Sequence, residues 1–353
     1  MKSKIISKNI NLSLEDSLKN SLKNSLENSI GNALEEDKAF NDITSDAVVK
    51  KNSKVEFAII ARENSILCGV EAIEICFNKL KLNQKFSNCN LEYKILKNDG
   101  DKLSCGDKIA IGTGDSNLIF SAERTILNLI QHLSGIATTT NLFVTKLNNP
   151  KITILDTRKT IAGLRILQKF AVKIGGGDNH RLDLSSMILI KDNHLATGKN
   201  IIIAVADAKE YCHRNNINSK IAAECDNINQ VKEAIVAQAD IIMLDNMTIE
   251  EVSNASKLIR ENNAMRPILI EVSGGISLNN IAQYQNLDIE ENEIRRQVKA
   301  AGIIKDIYDG EDDGDGAKNV DAKIDDDYKD DEKDDDYDKD NDNIYDDNDI
   351  DVD

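Results

Sequence analysis

From residue 150 onward, short apolar runs alternate with segments of helical period, and each run stops at charge or amide. Residues 152–155 are one such run, followed by Asp156-Thr157-Arg158-Lys159-Thr160; residues 187–190 are another, followed by Lys191-Asp192-Asn193-His194. Between them Leu164, Leu167, Phe170, Ala171 and Ile174 fall at helical spacing, ahead of Gly175-Gly176-Gly177 and Asn179-His180-Arg181. The rhythm predicts helix 201–215, strand 220–225, helix 228–238, strand 240–244, helix 248–262 with Asn246 or Thr248 as cap, and strand 267–272. Ser273-Gly274-Gly275 follows, with Ser277 capping another helix. Near-continuous apolar strands between helices are the mark of a parallel sheet covered on both faces. Five successive strands then end in polar residues on one edge, where sites gather in an α/β barrel.

The first third of the chain reads differently. Residues 13–32 form a tetrapeptide repeat with Leu14, Leu18, Leu22, Leu26 and Ile30 four apart. On a helix that period drifts by about 40° per repeat, giving a slanting apolar stripe that packs on a neighbour. Strands are predicted at 55–61, 66–69 and 108–113 around a helix at 70–80, with turns at Asp99-Gly100-Asp101 and Gly106-Asp107. This is an open α+β sandwich domain without a site of its own. Residues 122–147 then form a long helix, with Ile126, Leu129, Ile130 and Leu133 on one face and Gly135 as a candidate break. The expected division is a helical extension (1–32), the α+β domain (33–135), the barrel (136–305) and a tail (306–353).

Composition changes the picture at the end of the chain. The net charge is −17, but residues 309–353 hold 23 Asp and Glu against 5 Lys, so the rest of the chain is near neutral. That Asp/Lys-rich segment cannot bury enough apolar surface to fold and is expected to be disordered. No apolar run is long enough to span a bilayer, and the first residues lack the apolar core of a signal peptide. Six scattered cysteines without a C-x-x-C suit reduced thiols. A cytoplasmic protein with neither membrane nor nucleic-acid partner is expected.

Arg158, Lys159, Arg181, Lys191 and His180 bring at least four positive charges to one edge. Such a density calls for a polyanionic ligand; the alternative is a run of solvated surface charge. Glu224 and Asp245 end two further strands as a carboxylate counterweight, or as ion-pair partners of those cations. Ser273-Gly274-Gly275 offers backbone N–H groups to a phosphate, or is only a tight turn. Cys225, beside Glu224, reads as a small buried residue rather than a nucleophile. Arg124, read alone, is a surface charge.

The motifs DTRKT, GLR, GGG-x-NHR, LIKDNH, AECDN, IIMLDN and EVSGGIS, with ERTILNLIQHLSGIATTT upstream, resemble the quinolinate phosphoribosyltransferase family, over about residues 33–286. The resemblance implies an open-ended α/β barrel with fewer than eight strands. It implies phosphoribosyl transfer from phosphoribosyl pyrophosphate to quinolinate with decarboxylation. Quinolinate would be clamped by Arg158, Arg181 and, from a partner subunit, Arg124, with His180 beside them. Thr157 would join the substrate contacts, and Lys159 and Lys191 would hold a carboxylate or the pyrophosphate. Ser273, Gly274 and Gly275 would hold the ribose phosphate. Glu224 and Asp245 would hold Mg²⁺ and the ribose hydroxyls, making Lys159, Lys191, Glu224 and Asp245 the catalytic set. A homodimer, or a hexamer built from it, is implied.

The chain departs from the family in several places. Asn41 replaces a glycine in the turn Asn41-Asp42-Ile43-Thr44-Ser45, Ile161-Ala162 replaces Thr-Pro, Ser186 an aspartate and Ala222 a glutamate. The family's last strand, roughly Val-Asp-x-Ile-Ser-Val-Gly-Ala, has no counterpart in 288–309, where a degenerate strand and the loss of one phosphate loop are expected. Two alternatives follow: a non-catalytic homologue, or a paralogous phosphoribosyltransferase with another substrate.

Overall fold

The computed structural model describes residues 20–262 and 267–285, and the backbone of two short strands at 292–295 and 304–307. It opens with α1 (residues 20–36), on which Leu26, Ile30 and Leu34 are buried and Leu22 packs at the margin. The four-residue stripe therefore does what its spacing predicts; Leu14 and Leu18 lie outside the described residues. In α2 (Ile43–Val48) the Asp42 side chain caps the helix, accepting from Thr44 N at 3.0 Å and Ser45 N at 3.1 Å. Hydrogen bonds from Ser45 hold the Asp42 carboxyl below its ordinary range.

The first sheet contains β1 (Lys54–Ala61), β3 (Leu91–Ile95), β5 (Lys108–Asp115) and β12 (Ile304–Ile307), all antiparallel, in the order β12-β1-β5-β3. β2 (Ser65–Ile66) pairs with β4 (Lys102–Leu103) alone, and α3 (Ala72–Lys81) packs beside α4 (Ser116–Leu147). β2 is shorter than the expected 66–69 because the chain turns at Gly69, φ +93°, to enter α3. α4 starts six residues before the expected 122 and runs unbroken through Gly135. A helical glycine costs about 1 kcal/mol, less than the burial of Leu133, Ile136, Ala137 and Phe143 around it contributes. The expected boundary at 135 thus falls inside one helix.

The second sheet is built from β6 (Ile152–Leu155), β7 (Ile188–Ile190), β8 (Ile221–Cys225), β9 (Ile241–Asp245), β10 (Leu269–Ser273) and β11 (Asn292–Arg295). All six are parallel, in the order β6-β11-β10-β9-β8-β7. Neighbours follow chain order from β7 to β11, and β11 returns to β6, an order compatible with an open-ended barrel. No ladder joins β6 to β7 among the described residues. Residues 177–181 run beside β6 instead: Asp178 N donates to Ile154 O at 2.8 Å, and Asp156 N to Asp178 O at 3.2 Å. The connecting helices are α5 (Arg165–Ile174), α6 (Asp192–Leu195), α7 (Ile201–Arg214), α8 (Ile228–Val236) and α9 (Ile249–Glu261). Thr248, not Asn246, caps α9, in a reciprocal pairing with Glu251.

Three expectations need correction. The last strand is present: β11 takes the slot between β10 and β6, its register running Ile294↔Ile154 and Val272↔Ile294. Three or four extended residues suffice for such a slot, and no glycine motif is needed to fill it. Beyond it, β12 pairs with β1, Ile59 opposite Asp306, so the boundary set at 305/306 cuts a strand of the first sheet. Finally, Ser277 opens no α-helix; a turn leads into one 3-10 segment, Ile281–Tyr284, whose Ile281 and Tyr284 are buried. The rest of the acidic tail lies outside the described residues.

Because strand side chains alternate, the parallel sheet separates two environments. One face contributes Ile154, Ile190, Ala223, Cys225, Ile242, Leu244, Ile270 and Val272 to the layer under the helices. The other carries Leu189, Ala222, Ile241 and Met243. Ala222, where the family has a glutamate, belongs to this second cluster. Further along the same face come Glu224 and Glu271, register neighbours of Met243, and then Asp245 and Ser273, paired with each other. The face is apolar at its base and charged at the carboxyl ends.

Candidate active site

β6 delivers Asp156 at its end, and the next turn presents three candidates. Thr157 Oγ1 accepts Lys159 N at 3.0 Å, which curls the backbone and leaves Lys159 exposed. Arg158 is half-buried, and its Nε is shielded from solvent without a hydrogen-bond partner among the described residues. Thr160 Oγ1 accepts from Arg165 Nε at 3.2 Å, and Ile161 N donates to Gln168 Oε1 at 3.1 Å, so α5 holds the far side of the turn.

The second cationic segment arrives at the end of α5. At Gly177 a side chain would collide with the Ile154 carbonyl, 2.8 Å from the position of a Cβ, so a glycine here lets the chain lie against β6. His180 is buried, with Nε2 3.2 Å from Glu271 Oε1 on β10, and Arg181 Nη1 donates to Met187 O at 3.2 Å. Behind them sits the ion pair of Lys169 and Asp156, both almost fully buried. Burial pushes the Asp156 carboxyl upward, against the opposing pull of Lys169 and of the His180 N–H. Asp183 gathers Ser185 and Ser186 into the turn before β7. Their hydrogen bonds, Ser185's first, draw its carboxyl down to about 2. Ser186 thus has a local task in this turn.

β7 ends in Lys191, whose ammonium meets Glu224 at the end of β8. Lys191 N donates to His194 Nδ1 at 2.9 Å, which fixes the turn into α6. Glu224 is 9% exposed and Lys191 is open to solvent on one side, so the pair lines an edge rather than filling a core. Asp245 lies one step further along β9 and accepts from the Asn246 amide at 2.8 Å. At Gly274, φ +85°, a side chain would be driven into the Asn246 side-chain oxygen; Gly275, φ +62°, faces open space. Only glycine suits the first of these positions on both counts. Cys225 points to the helix side, where burial pushes its thiol up to about 12, leaving it inert.

Arg158, Lys159, Lys191, Glu224, Asp245 and the Ser273-Gly274-Gly275 turn therefore follow or close the strands of one sheet at their carboxyl ends, and the segment carrying His180 and Arg181 runs beside β6. Arg124 does not join them. It stands exposed on α4 beside Glu123 and lines a separate cavity of about 580 Å³ with α1 and Ile161–Leu164. The sequence reading missed Lys169, Glu271 and His194. A lysine or glutamate inside an apolar segment carries no periodic signal, and only burial reveals it.

No group of three or more His, Cys, Asp or Glu side chains that could hold a metal ion occurs among the described residues. Glu224 and Asp245 fit instead the two carboxylates that Mg²⁺ uses when substrate phosphates supply its other ligands.

The C-terminal domain model of quinolinate phosphoribosyl transferase matches residues 136–301, and the N-terminal domain model matches 42–134. A probable carboxylating nicotinate-nucleotide pyrophosphorylase of Methanocaldococcus jannaschii is 40% identical over 264 residues, covering 73% of this chain and 87% of that protein. One of Bacillus subtilis is 39% identical over 255 residues, covering 72% and 82%. The solved nicotinate-nucleotide pyrophosphorylase of Francisella tularensis superposes with a TM-score of 0.70 at 33% identity, over 81% of this chain and 96% of that one. With both halves matched and relatives of up to 40% identity, the chain belongs to the quinolinate phosphoribosyltransferase family.

Proposed function

We propose that this protein transfers the phosphoribosyl group of phosphoribosyl pyrophosphate to quinolinate, releasing CO₂ and pyrophosphate and forming nicotinate mononucleotide. The observation that carries this reading is the convergence of Arg158, Lys159, Arg181 and Lys191 with Glu224 and Asp245 on one sheet edge. Quinolinate is a dianion, and planar guanidinium groups bind carboxylates in bidentate fashion. The shielded Nε of Arg158 is a donor in want of such an acceptor. Lysines suit the phosphates as point charges, and the double-glycine turn lets a phosphate approach the backbone.

The ring nitrogen of quinolinate forms a bond to ribose C1′ as the bond from C1′ to pyrophosphate oxygen breaks, its electron pair leaving with pyrophosphate. Positive charge on the sugar grows opposite Glu224 and Asp245, which stabilise it by position alone. The pyridinium then accepts the electron pair of the adjacent carbon–carboxylate bond; CO₂ leaves, and a proton fills that carbon. Glu224 and Asp245 would hold Mg²⁺ together with substrate oxygens, and the ion would supply charge neutralisation on pyrophosphate. Arg124, exposed on α4 beside Glu123, serves the site of a second subunit, so the working form is at least a dimer. Among the described residues no helix is long and apolar enough to cross a membrane. Purified protein given phosphoribosyl pyrophosphate and Mg²⁺ should release CO₂ and form nicotinate mononucleotide from quinolinate, and should do neither with nicotinate. Turnover of nicotinate alone, or of neither acid, would overturn the reading.

A further inference from the structure

We infer that Lys169 and Asp156 are a positioning pair that sets where His180 and Arg181 stand relative to Arg158. Neither side chain belongs to the substrate edge; Lys169 is 2% exposed and Asp156 5%. Burying two charges is costly, and apolar residues of similar volume do as well or better for stability alone. The pair therefore needs another explanation, and its contacts supply one. Asp156 is the first residue past β6, so its carboxylate is fixed by a strand. One oxygen takes the Lys169 ammonium and the His180 N–H, the latter at 2.9 Å. The Asn179 amide, turned so that its nitrogen faces acceptors, donates to the other oxygen at 2.7 Å and to Lys169 O at 2.9 Å. Lys169 Nζ also donates to His180 O at 3.0 Å. Both main-chain polar groups of His180 are thus held by the same buried pair.

The consequence is geometric. The open side of the parallel sheet lies between β6 and β7, and among the described residues no ladder sets the distance from the Arg158 turn to the Arg181 segment across it. The pair does so, from α5, while Arg165 and Gln168 of the same helix hold Thr160 and Ile161. Arg165 Nη1 also reaches Leu182 O at 3.4 Å. α5 is a bracket between two groups that must grip one small dianion, and misplacing such a group by about 1 Å can cost on the order of a hundredfold.

This inference rests on the proposed reaction, and its test is chosen to separate the two. The double variant Asp156→Leu/Lys169→Met removes the bracket without stranding a buried charge. Expected are a melting temperature close to that of the parent, a KM for quinolinate raised roughly tenfold to a hundredfold, and a KM for phosphoribosyl pyrophosphate changed by less than about threefold. A folded double variant with parental quinolinate KM would overturn the inference. Hydrogen exchange on the unaltered protein provides a readout independent of turnover and of the variant's folding. The His180 amide should exchange far more slowly than that of exposed Leu184, and equal rates would equally overturn it. An unaltered protein that turns over no quinolinate would instead sink the reaction, leaving the exchange result to judge the bracket.

Discussion

The two sheets of this protein make opposite use of their polar residues. In the antiparallel sheet, neighbouring strands run in opposite directions, so charges at strand ends are divided between two edges. Glu56, Glu92, Lys94 and Lys108 instead stand along the sheet, around a shallow cavity of about 430 Å³. In the parallel sheet every strand finishes at the same edge, and Lys191, Glu224, Asp245 and Ser273 are brought together from positions up to 82 apart in the chain. A parallel sheet concentrates chemistry because direction, not proximity in sequence, decides what meets. In the proposed reaction the first sheet and its helices contribute packing, and the second the reacting groups.

The strongest way to break that contrast is to exchange charge for amide in both sheets. Glu224→Gln and Asp245→Asn should each lower kcat by about 10²–10³-fold, the usual scale for a lost electrostatic stabiliser. Glu92→Gln on β3 should leave kcat as it is. Steady-state kinetics with quinolinate decide, and an equal loss in Glu92→Gln would dissolve the distinction. Leu34→Ala is the reverse probe, since that side chain is wholly buried between α1 and the first core. Urea unfolding should show a loss of about 2–5 kcal/mol, with kcat retained in the protein that remains folded.

The smallest effect lies where the halves meet. His132 on α4 and Gln168 on α5 are 2.8 Å apart, and burial lowers the His132 pKa from its ordinary value of 6.5. The folded state then binds that proton less well than the unfolded chain. Its contribution to stability is full above pH 6.5 and is lost as pH falls through the folded value. Melting temperatures between pH 5 and 7 should accordingly fall less steeply with acid in His132→Gln than in the parent. An unchanged slope would assign the acid sensitivity of this region to other groups.

Much of the second sheet is legible in the sequence because burial on both faces produces apolar runs that stop at charge, as at Leu155-Asp156 and Ile190-Lys191. Glycine motifs and cations point to the edge for the same reason. β3 was readable but unread: Leu91, Tyr93 and Ile95 alternate with Glu92 and Lys94, a half-buried strand pattern. β11 is another matter. Asn292-Glu293-Ile294-Arg295 has one apolar residue, and what makes it a strand is the slot between β10 and β6. The Lys169–Asp156 and His180–Glu271 contacts were not legible at all, since each joins residues whose meeting depends on the completed fold. Arg124 was singled out only through resemblance; its own surroundings give it a cavity and an acidic neighbour.

α4 gives the molecule a history as well as a shape. The two family matches end at 134 and begin at 136, yet the chain between them is the middle of a 32-residue helix, about 48 Å long. Leu133 and Ile136 face the first core while Phe143 and Leu147 face the second. A gene cut at that seam would give each product half a helix with its packing surface stripped. β12, returning from the far end of the barrel half to lie on β1, ties a second knot across the same division. The border that comparison of sequences draws is thus a bookmark in an unbroken page.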